Sequence, residues 1–353
     1  LTSTKKRLNI ILKQSQEGDD DHQKDIFARF ARDWAGLAFM NSKGTKEETE
    51  KHMPAFYGAN VNFKYILMED LSTDCKDFSV ILTSDHHSKI YAEKAFESYY
   101  RRLARFHIDG YKRKPAFAKL LSSINPRVDK WQTTYASSYA DVMLRANRTI
   151  LITDYTPSPE LLHEVFTTMY ASYSPGVFAT VVHGDLCPDN MMYNTTNHEA
   201  LLFDFEWVYG ARNALLDMTK LRMGMPGCWC KGEMPKELLT HLESIYRKEL
   251  IKGIPEAADD DTYNTAYVES CGFRILKQFT GIEHYVDDEG LGEIKLSKIA
   301  PLISRLEAFI QVSTKYKKLP AMRIFCEHIL KFFRIHRPEA RIMDLYDVFQ
   351  ERV

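Results

Sequence analysis

A pair of apolar runs separated by a polar tract constrains the fold of this 353-residue chain more than any other feature. Residues 191–193 and 200–203 are apolar, whereas residues 194–198 read Asn-Thr-Thr-Asn-His. A polar tract of this composition between two short apolar runs is typical of a turn. The pattern therefore predicts a β-hairpin in which Asn190 starts one strand and Asp204 ends its antiparallel partner.

Three polar residues follow a regular spacing around this hairpin. Asp185 lies five residues before Asn190, and Asp204 lies fourteen residues after Asn190. The protein-kinase catalytic loop has the same Asp-x-x-x-x-Asn spacing. The sequence His-Gly-Asp at 183–185 resembles the form of this loop found in the aminoglycoside phosphotransferase and choline kinase group of small-molecule kinases. Further along, Asp-Phe-Glu at 204–206 stands where protein kinases have Asp-Phe-Gly. The resemblance implies that Asp185 orients the attacking hydroxyl and that Asn190 and Asp204 bind Mg²⁺.

The resemblance also implies supporting roles for two residues near the loop. His183 would donate a hydrogen bond to a loop carbonyl and fix the shape of the loop. Asp217 matches a family pattern in which an Asp opens a helix, where it would cap that helix or accept backbone hydrogen bonds from the loop. His107 is expected to pack beneath the loop. Glu206 has two interpretations, as a carboxylate near a metal-bound water or as a surface carboxylate.

The first seventy residues predict the order strand, helix, strand, strand. An aliphatic run at 7–14 predicts a strand, and apolar residues recur at three- and four-residue spacing over residues 25–40, as in a helix. Residues 55–57 and 62–68 are further strand candidates. This order resembles the small lobe of a kinase.

Within that lobe, the resemblance assigns the nucleotide contacts. Lys13 corresponds to the strand lysine that contacts the α- and β-phosphates of ATP, and its expected partner is Asp33, where the family usually has Glu. Residues 69–72 resemble the hinge, so that Met68, Glu69 and Leu71 are expected to border the adenine. None of the twelve residues before Lys13 is Gly. The phosphate loop of this group would therefore lie upstream of the sequence, or the phosphates are covered differently.

Composition disfavours other classes of protein. The net charge of −1 provides no basic field for nucleic acid. No apolar run reaches the roughly 18 residues that indicate a membrane span, so no membrane contact and a cytoplasmic location are expected. The six cysteines lack metal-site or disulfide spacing, since Cys-Trp-Cys at 228–230 has one residue fewer between its cysteines than the usual zinc pattern. Reduced thiols are expected.

The last 120 residues are predicted to be mostly helical, over 235–251, 262–285, 296–316 and 321–335. The acidic runs 259–261 and 287–289 interrupt these helices. In the family that this chain resembles, such an extension forms a wall of the acceptor pocket. The runs would then attract a cationic acceptor, or they are simply solvated loops.

The sequence therefore predicts an α+β, bilobal protein-kinase-like fold with a small β-rich N-lobe and a large helical C-lobe that carries a catalytic β-hairpin. The predicted bounds are 1–68 for the small lobe, 69–72 for the hinge and 73–353 for the large lobe. The predicted reaction is phosphorylation of a small-molecule hydroxyl with ATP and Mg²⁺. The alternatives are a kinase that acts on a macromolecule and a catalytically silent nucleotide-binding module.

Overall fold

A computed structural model describes residues 9–15, 26–42, 53–84, 87–126, 134–278 and 296–351. The predicted end of one helix near residue 285 and the acidic run 287–289 lie outside these residues.

The described N-terminal part is a three-stranded antiparallel sheet with one helix. The strands β1 (Ile10–Gln14) and β2 (Phe56–Asn60) both pair with the central strand β3 (Tyr65–Glu69). The Asn60 side chain accepts two backbone N–H groups from the residues that follow it, which closes the turn between β2 and β3. The predicted order strand, helix, strand, strand is confirmed, and β3 ends at Glu69, where the predicted hinge begins.

The helix of this part, α1 (Ile26–Asn41), joins the small sheet to the rest of the chain. It packs against β2 and against α3 (Lys89–Ile124), the longest described helix. Phe39 of α1 meets Phe117 of α3 edge-on, with ring centroids 5.3 Å apart. The helix α3 is kinked shortly before Pro115, because the proline ring clashes with the carbonyl one turn earlier.

The predicted hairpin is present. The remaining described strands are β4 (Cys75–Asp77), β5 (Ala179–Val182), β6 (Met191–Asn194), β7 (Ala200–Leu202) and β8 (Tyr209–Asn213). Met191 of β6 lies opposite Leu202 of β7, and the Asn194 side chain accepts two backbone N–H groups in the turn between them. The strand β4 pairs with the other edge of β6, and β5 pairs with β8, so the segments on both sides of the hairpin are tied together.

Helices form most of the remaining described chain. They are α2 (Phe78–Thr83), α4 (Thr134–Thr153), α5 (Pro159–Tyr173), α6 (Ala214–Met218), α7 (Lys236–Leu250), α8 (Asp260–Gln278), α9 (Leu296–Tyr316) and α10 (Pro320–His336). The last four correspond to the four C-terminal helices predicted from sequence. Among the described helices, none combines the length and the apolarity that crossing a membrane requires. The architecture is α+β, with a small β-rich N-terminal part and a large helical part that carries the hairpin, as predicted.

Candidate active site

Lys13, which lies in β1, contacts two carboxylates from other parts of the chain. Its Nζ lies 2.7 Å from Asp33 Oδ2 on α1 and 2.5 Å from Asp204 Oδ1, just after β7. Burial alone would lower the pKa of Lys13, but the two carboxylates raise it above its ordinary value, so the side chain remains an ammonium. The Lys13–Asp33 pair therefore forms despite the short Asp side chain, and Asp204 joins it.

The close approach of α1 to the segment after β7 explains why Asp is long enough at position 33. Asp33 Oδ1 accepts the Phe205 N–H at 2.9 Å, and Arg29 donates to both carboxylate oxygens of Glu206 at 2.7 Å. A Cβ added at Gly36 would lie 2.4 Å from Phe205 Cβ, so a larger residue would push the helix away. Glu206 thus anchors α1, a role that neither interpretation of its sequence position identified.

The hairpin brings Asn190 and Asp204 together at its open end. Asn190 Nδ2 donates to the Asp185 carbonyl oxygen at 2.8 Å, and the Phe203 N–H donates to the Asn190 carbonyl oxygen at 3.2 Å. Because Phe203 precedes Asp204, the second bond sets Asn190 beside Asp204. With its NH₂ group bound, Asn190 offers its amide oxygen as a ligand. An amide oxygen and a carboxylate are the hard oxygen donors that suit Mg²⁺.

Two residues of the site have left-handed backbone conformations. Asp204 has φ +64°, which is uncommon for a residue other than Gly and is typical of strain at functional sites. Gly184 has φ +83°, and a Cβ there would lie 2.2 Å from the Trp207 carbonyl oxygen. A side chain at position 184 would therefore collide with the Trp207 backbone, so the loop requires Gly here.

Lys220 is a site residue that the sequence analysis missed. Its Nζ lies 2.6 Å from Asp185 Oδ1, and its side chain is only 5% exposed. Burial alone would raise the pKa of Asp185, but the Lys220 ammonium lowers it below its ordinary value. Asp185 is therefore a carboxylate at neutral pH. The available signal was the position of Lys220 three residues after Asp217, in the segment that resembles the family.

Asp217 holds the loop backbone. Its Oδ2 accepts the His183 N–H at 2.7 Å, and its Oδ1 accepts the Gly184 N–H at 3.1 Å. Burial alone would raise the pKa of Asp217, but the hydrogen bond from His107 and the nearby imidazoles lower it. Of its two predicted roles, the structure contains the backbone hydrogen bonds. Asp217 lies inside α6, and the helix is capped by the Asn213 side chain.

The His183 ring links the loop to the hairpin. The ring is fully buried; its Nε2 lies 2.8 Å from the Phe203 carbonyl oxygen, and its Nδ1 accepts the Asp185 N–H at 3.4 Å. These partners select the neutral tautomer with the proton on Nε2, and burial lowers the pKa of the ring accordingly. His107 lies on the far side of Asp217, with its Nε2 3.2 Å from Asp217 Oδ2. Both imidazoles therefore contact the framework of the loop.

The predicted hinge residues lie at the end of β3. Met68 and Glu69 belong to that strand, and the Glu69 carboxylate accepts the Ala55 N–H at 3.0 Å. Leu71 packs in a small apolar cluster with Leu201 of β7, which connects the hinge to the hairpin. Contact of these residues with adenine remains a prediction.

The described acidic run 259–261 has local partners. Asp259 accepts the Thr262 N–H at 2.8 Å at the start of α8, and Asp261 accepts from Lys318 Nζ at 2.6 Å. Asp259 therefore caps α8, and Asp261 forms an ion pair at the exposed surface, which favours the solvated loop among the two interpretations of this run.

A sequence model of a known family covers much of this site. The sequence model described as "Ecdysteroid kinase-like family" matches residues 7–215, a range that contains Lys13, Asp185, Asn190 and Asp204. Among solved structures, choline kinase LicA from Streptococcus pneumoniae is similar, with 11% sequence identity, 87% of each chain covered and a TM-score of 0.42. The comparison with curated proteins finds no match.

Proposed function

The chain belongs to the ecdysteroid kinase-like family, and from this premise we propose that it transfers the γ-phosphoryl group of ATP to a hydroxyl group of a small molecule in the presence of Mg²⁺. The family and the fold support a kinase-like phosphotransferase. The nucleotide, the metal ion and the acceptor belong to the proposal.

The observation that carries the proposal is the Lys13 ammonium between Asp33 and Asp204. The contact with Asp33 lies within the small N-terminal part, whereas the contact with Asp204 joins β1 to the hairpin. An ammonium held in this way can exchange one carboxylate for a phosphate oxygen when a nucleotide binds, because both are anionic acceptors of charge-assisted hydrogen bonds. The pair therefore supports a phosphate site at this junction.

Each of the other residues has a role that follows from its contacts. Asn190 and Asp204 would hold Mg²⁺, which when bound neutralises charge on the phosphates. Asp185, ionised because of Lys220, would accept a hydrogen bond from the acceptor hydroxyl and orient its oxygen. The Asp217 carboxylate and the His183 ring would keep the loop in the shape that this orientation needs.

The acceptor belongs to the class of alcohols in this proposal. The family name refers to ecdysteroids, so steroid alcohols are the first compounds to test, followed by choline-like amines, sugars and amino sugars. We also propose a cytoplasmic location, which the six free cysteines support because thiols remain reduced in that compartment.

The test is an ATP-consumption screen of the purified chain against these alcohols, with mass spectrometry of the products. Asp185→Asn is the matched control, since it keeps the shape of the side chain but removes the charge. We expect a phosphorylated alcohol from the wild type and a kcat that is roughly 10²–10⁴-fold lower in the variant. Equal kcat values for the two chains would contradict the role of Asp185, and ATP binding without any acceptor-dependent turnover would favour a nucleotide-binding module.

A further inference from the structure

Three buried thiols meet beside the catalytic loop. The Sγ atoms of Cys228 and Cys230 are 2.9 Å apart, and the Cys187 thiol contacts the Cys228 thiol. Cys187 belongs to the catalytic loop, whereas the other two precede α7. All three are free thiols.

The carboxylate of Asp189 lies beside these thiols, and only one of its two oxygens accepts a hydrogen bond. Its Oδ2 accepts the indole N–H of Trp229 at 2.7 Å, whereas its Oδ1 is buried and has no hydrogen-bond partner within the described ranges. One donor atom each of Asp189, Cys187 and Cys228 lie within 4.8 Å of one another. A buried carboxylate oxygen without a partner is costly, and a bound cation removes that cost.

We propose that Cys187, Cys228 and Asp189, with Cys230 as the fourth donor, form a binding site for a thiophilic divalent cation such as Zn²⁺. Structural zinc sites have four donors in a tetrahedron, with sulfurs about 2.3 Å from the metal and so about 3.8 Å from one another. The donor atoms of Cys187, Cys228 and Asp189 lie close enough together to share one ion. The Cys228 and Cys230 sulfurs are 2.9 Å apart, so they would have to separate by about 0.9 Å for Cys230 to complete the tetrahedron.

The surroundings of the donors fit a metal site in two further respects. Three thiolates and one carboxylate carry more negative charge than one divalent ion neutralises, and the Lys220 ammonium, 3.2 Å from Cys187 Sγ, offsets part of the excess. The Trp229 N–H orients the carboxylate of Asp189, as hydrogen bonds to metal ligands commonly do.

A disulfide explains these contacts less well. It would join two of the thiols but leave the buried Asp189 oxygen without a partner. A bound cation would provide that partner.

The site would fix the catalytic loop. Cys187 and Asp189 lie between Asp185 and Asn190 in the sequence, so a bound ion would tie this part of the loop to the segment 228–230. The spacing of the two cysteines at 228 and 230 is one residue shorter than the usual zinc pattern, and the missing donors come from the loop, about 40 positions earlier in the chain.

The test uses the full chain, reduced and stripped of metal with a chelator, and titrated with Co²⁺ in excess Mg²⁺. Tetrahedral Co²⁺ with thiolate ligands has intense visible bands and a near-ultraviolet charge-transfer band, which oxygen ligands do not give. We expect one Co²⁺ per chain, displaced by Zn²⁺. Cys228→Ser should lose the bands, whereas Cys271→Ser, which changes a buried thiol in α8, should keep them.

Trp229→Phe provides a milder variant that keeps all four donors. It should weaken Zn²⁺ binding by roughly 10–100-fold, because it removes only the hydrogen bond to a ligand, and its circular dichroism should match the wild type. A wild-type chain without a thiolate band, or Cys228→Ser and Trp229→Phe chains that bind Zn²⁺ as tightly as the wild type, would overturn the proposal. These readouts do not depend on phosphoryl transfer, so they separate the metal site from the proposed function.

Discussion

The Lys220 ammonium controls the ionisation of Asp185. Burial on its own raises the pKa of that carboxyl, and the ammonium 2.6 Å away reverses the shift. In the proposed reaction, Asp185 would orient a hydroxyl only when it is ionised, so the lowered pKa would keep the site active as the pH falls. In Lys220→Gln the effect of burial dominates, and the acid limb of kcat/KM against pH should move to higher pH. The exposed Lys252→Gln serves as the control, and an unmoved acid limb in Lys220→Gln would contradict this account.

The contrast between Asn190 and Lys220 explains which site residues the sequence could reveal. The spacing of Asp185, Asn190 and Asp204 is set by a loop and a hairpin, so it is visible along the chain. Lys220 lies 35 residues from Asp185, and Arg29 lies 177 residues from Glu206. These pairs depend on how distant segments pack. The position of Lys220 near Asp217 marks it as a candidate, but no local spacing shows that its partner is Asp185 or that Arg29 binds Glu206.

The position of α1 depends on its contact with the segment after β7. The helix carries Asp33, and Gly36 one turn later lets it approach Phe205. In Gly36→Ala the added methyl group would overlap Phe205, and Asp33 would move away from Lys13. A displacement of about 1 Å in a catalytic site can cost up to 10²-fold in rate. We expect a higher KM for ATP and a kcat at least roughly 10-fold lower in steady-state kinetics.

The control for this substitution is Gly272→Ala in α8. Its added Cβ would meet only the ends of Leu319, Thr168 and Met322 side chains at 3.2–3.3 Å, so a small adjustment accommodates it. Its ATP kinetics should stay near those of the wild type. Unchanged kinetics in Gly36→Ala would show that the close packing of α1 does not hold Asp33 in place.

The sequence predicts the helices and strands more fully than the side-chain contacts between them. The small sheet, the hairpin and the four C-terminal helices follow from local apolar periodicity and turn residues. The cap of α6 does not follow from local pattern, because Asn213 and Asp217 are both suitable capping residues. Only the packing of the loop against the helix places Asp217 beside the backbone N–H groups of His183 and Gly184 and leaves Asn213 as the cap.

The Lys13–Asp204 pair links the N-terminal sheet to the hairpin of the larger part, so nucleotide binding should affect the stability of the chain as a whole. A ligand that binds only the folded state at 100 times its Kd adds about 2.7 kcal/mol to the free energy of unfolding. For a chain of this size, that increase corresponds to a rise of a few degrees in Tm.

Nucleotide and metal should act together in this rise. ATP alone would have to draw Lys13 away from Asp204. The Asp204 carboxylate would then face the phosphates without a cation between them, and because the two anions repel each other, ATP alone should raise Tm only slightly. Mg²⁺ alone should also raise Tm only slightly, whereas ATP and Mg²⁺ together should give the full rise of a few degrees.

In Asp204→Asn the repulsion is absent and the metal ligand is lost. ATP alone should therefore raise the Tm of this variant more than that of the wild type, with no further gain from Mg²⁺. Thermal unfolding of both chains with ATP, Mg²⁺ and the two combined measures this. If the wild type gains as much from ATP alone as from ATP with Mg²⁺, Asp204 does not bind the metal that accompanies the nucleotide.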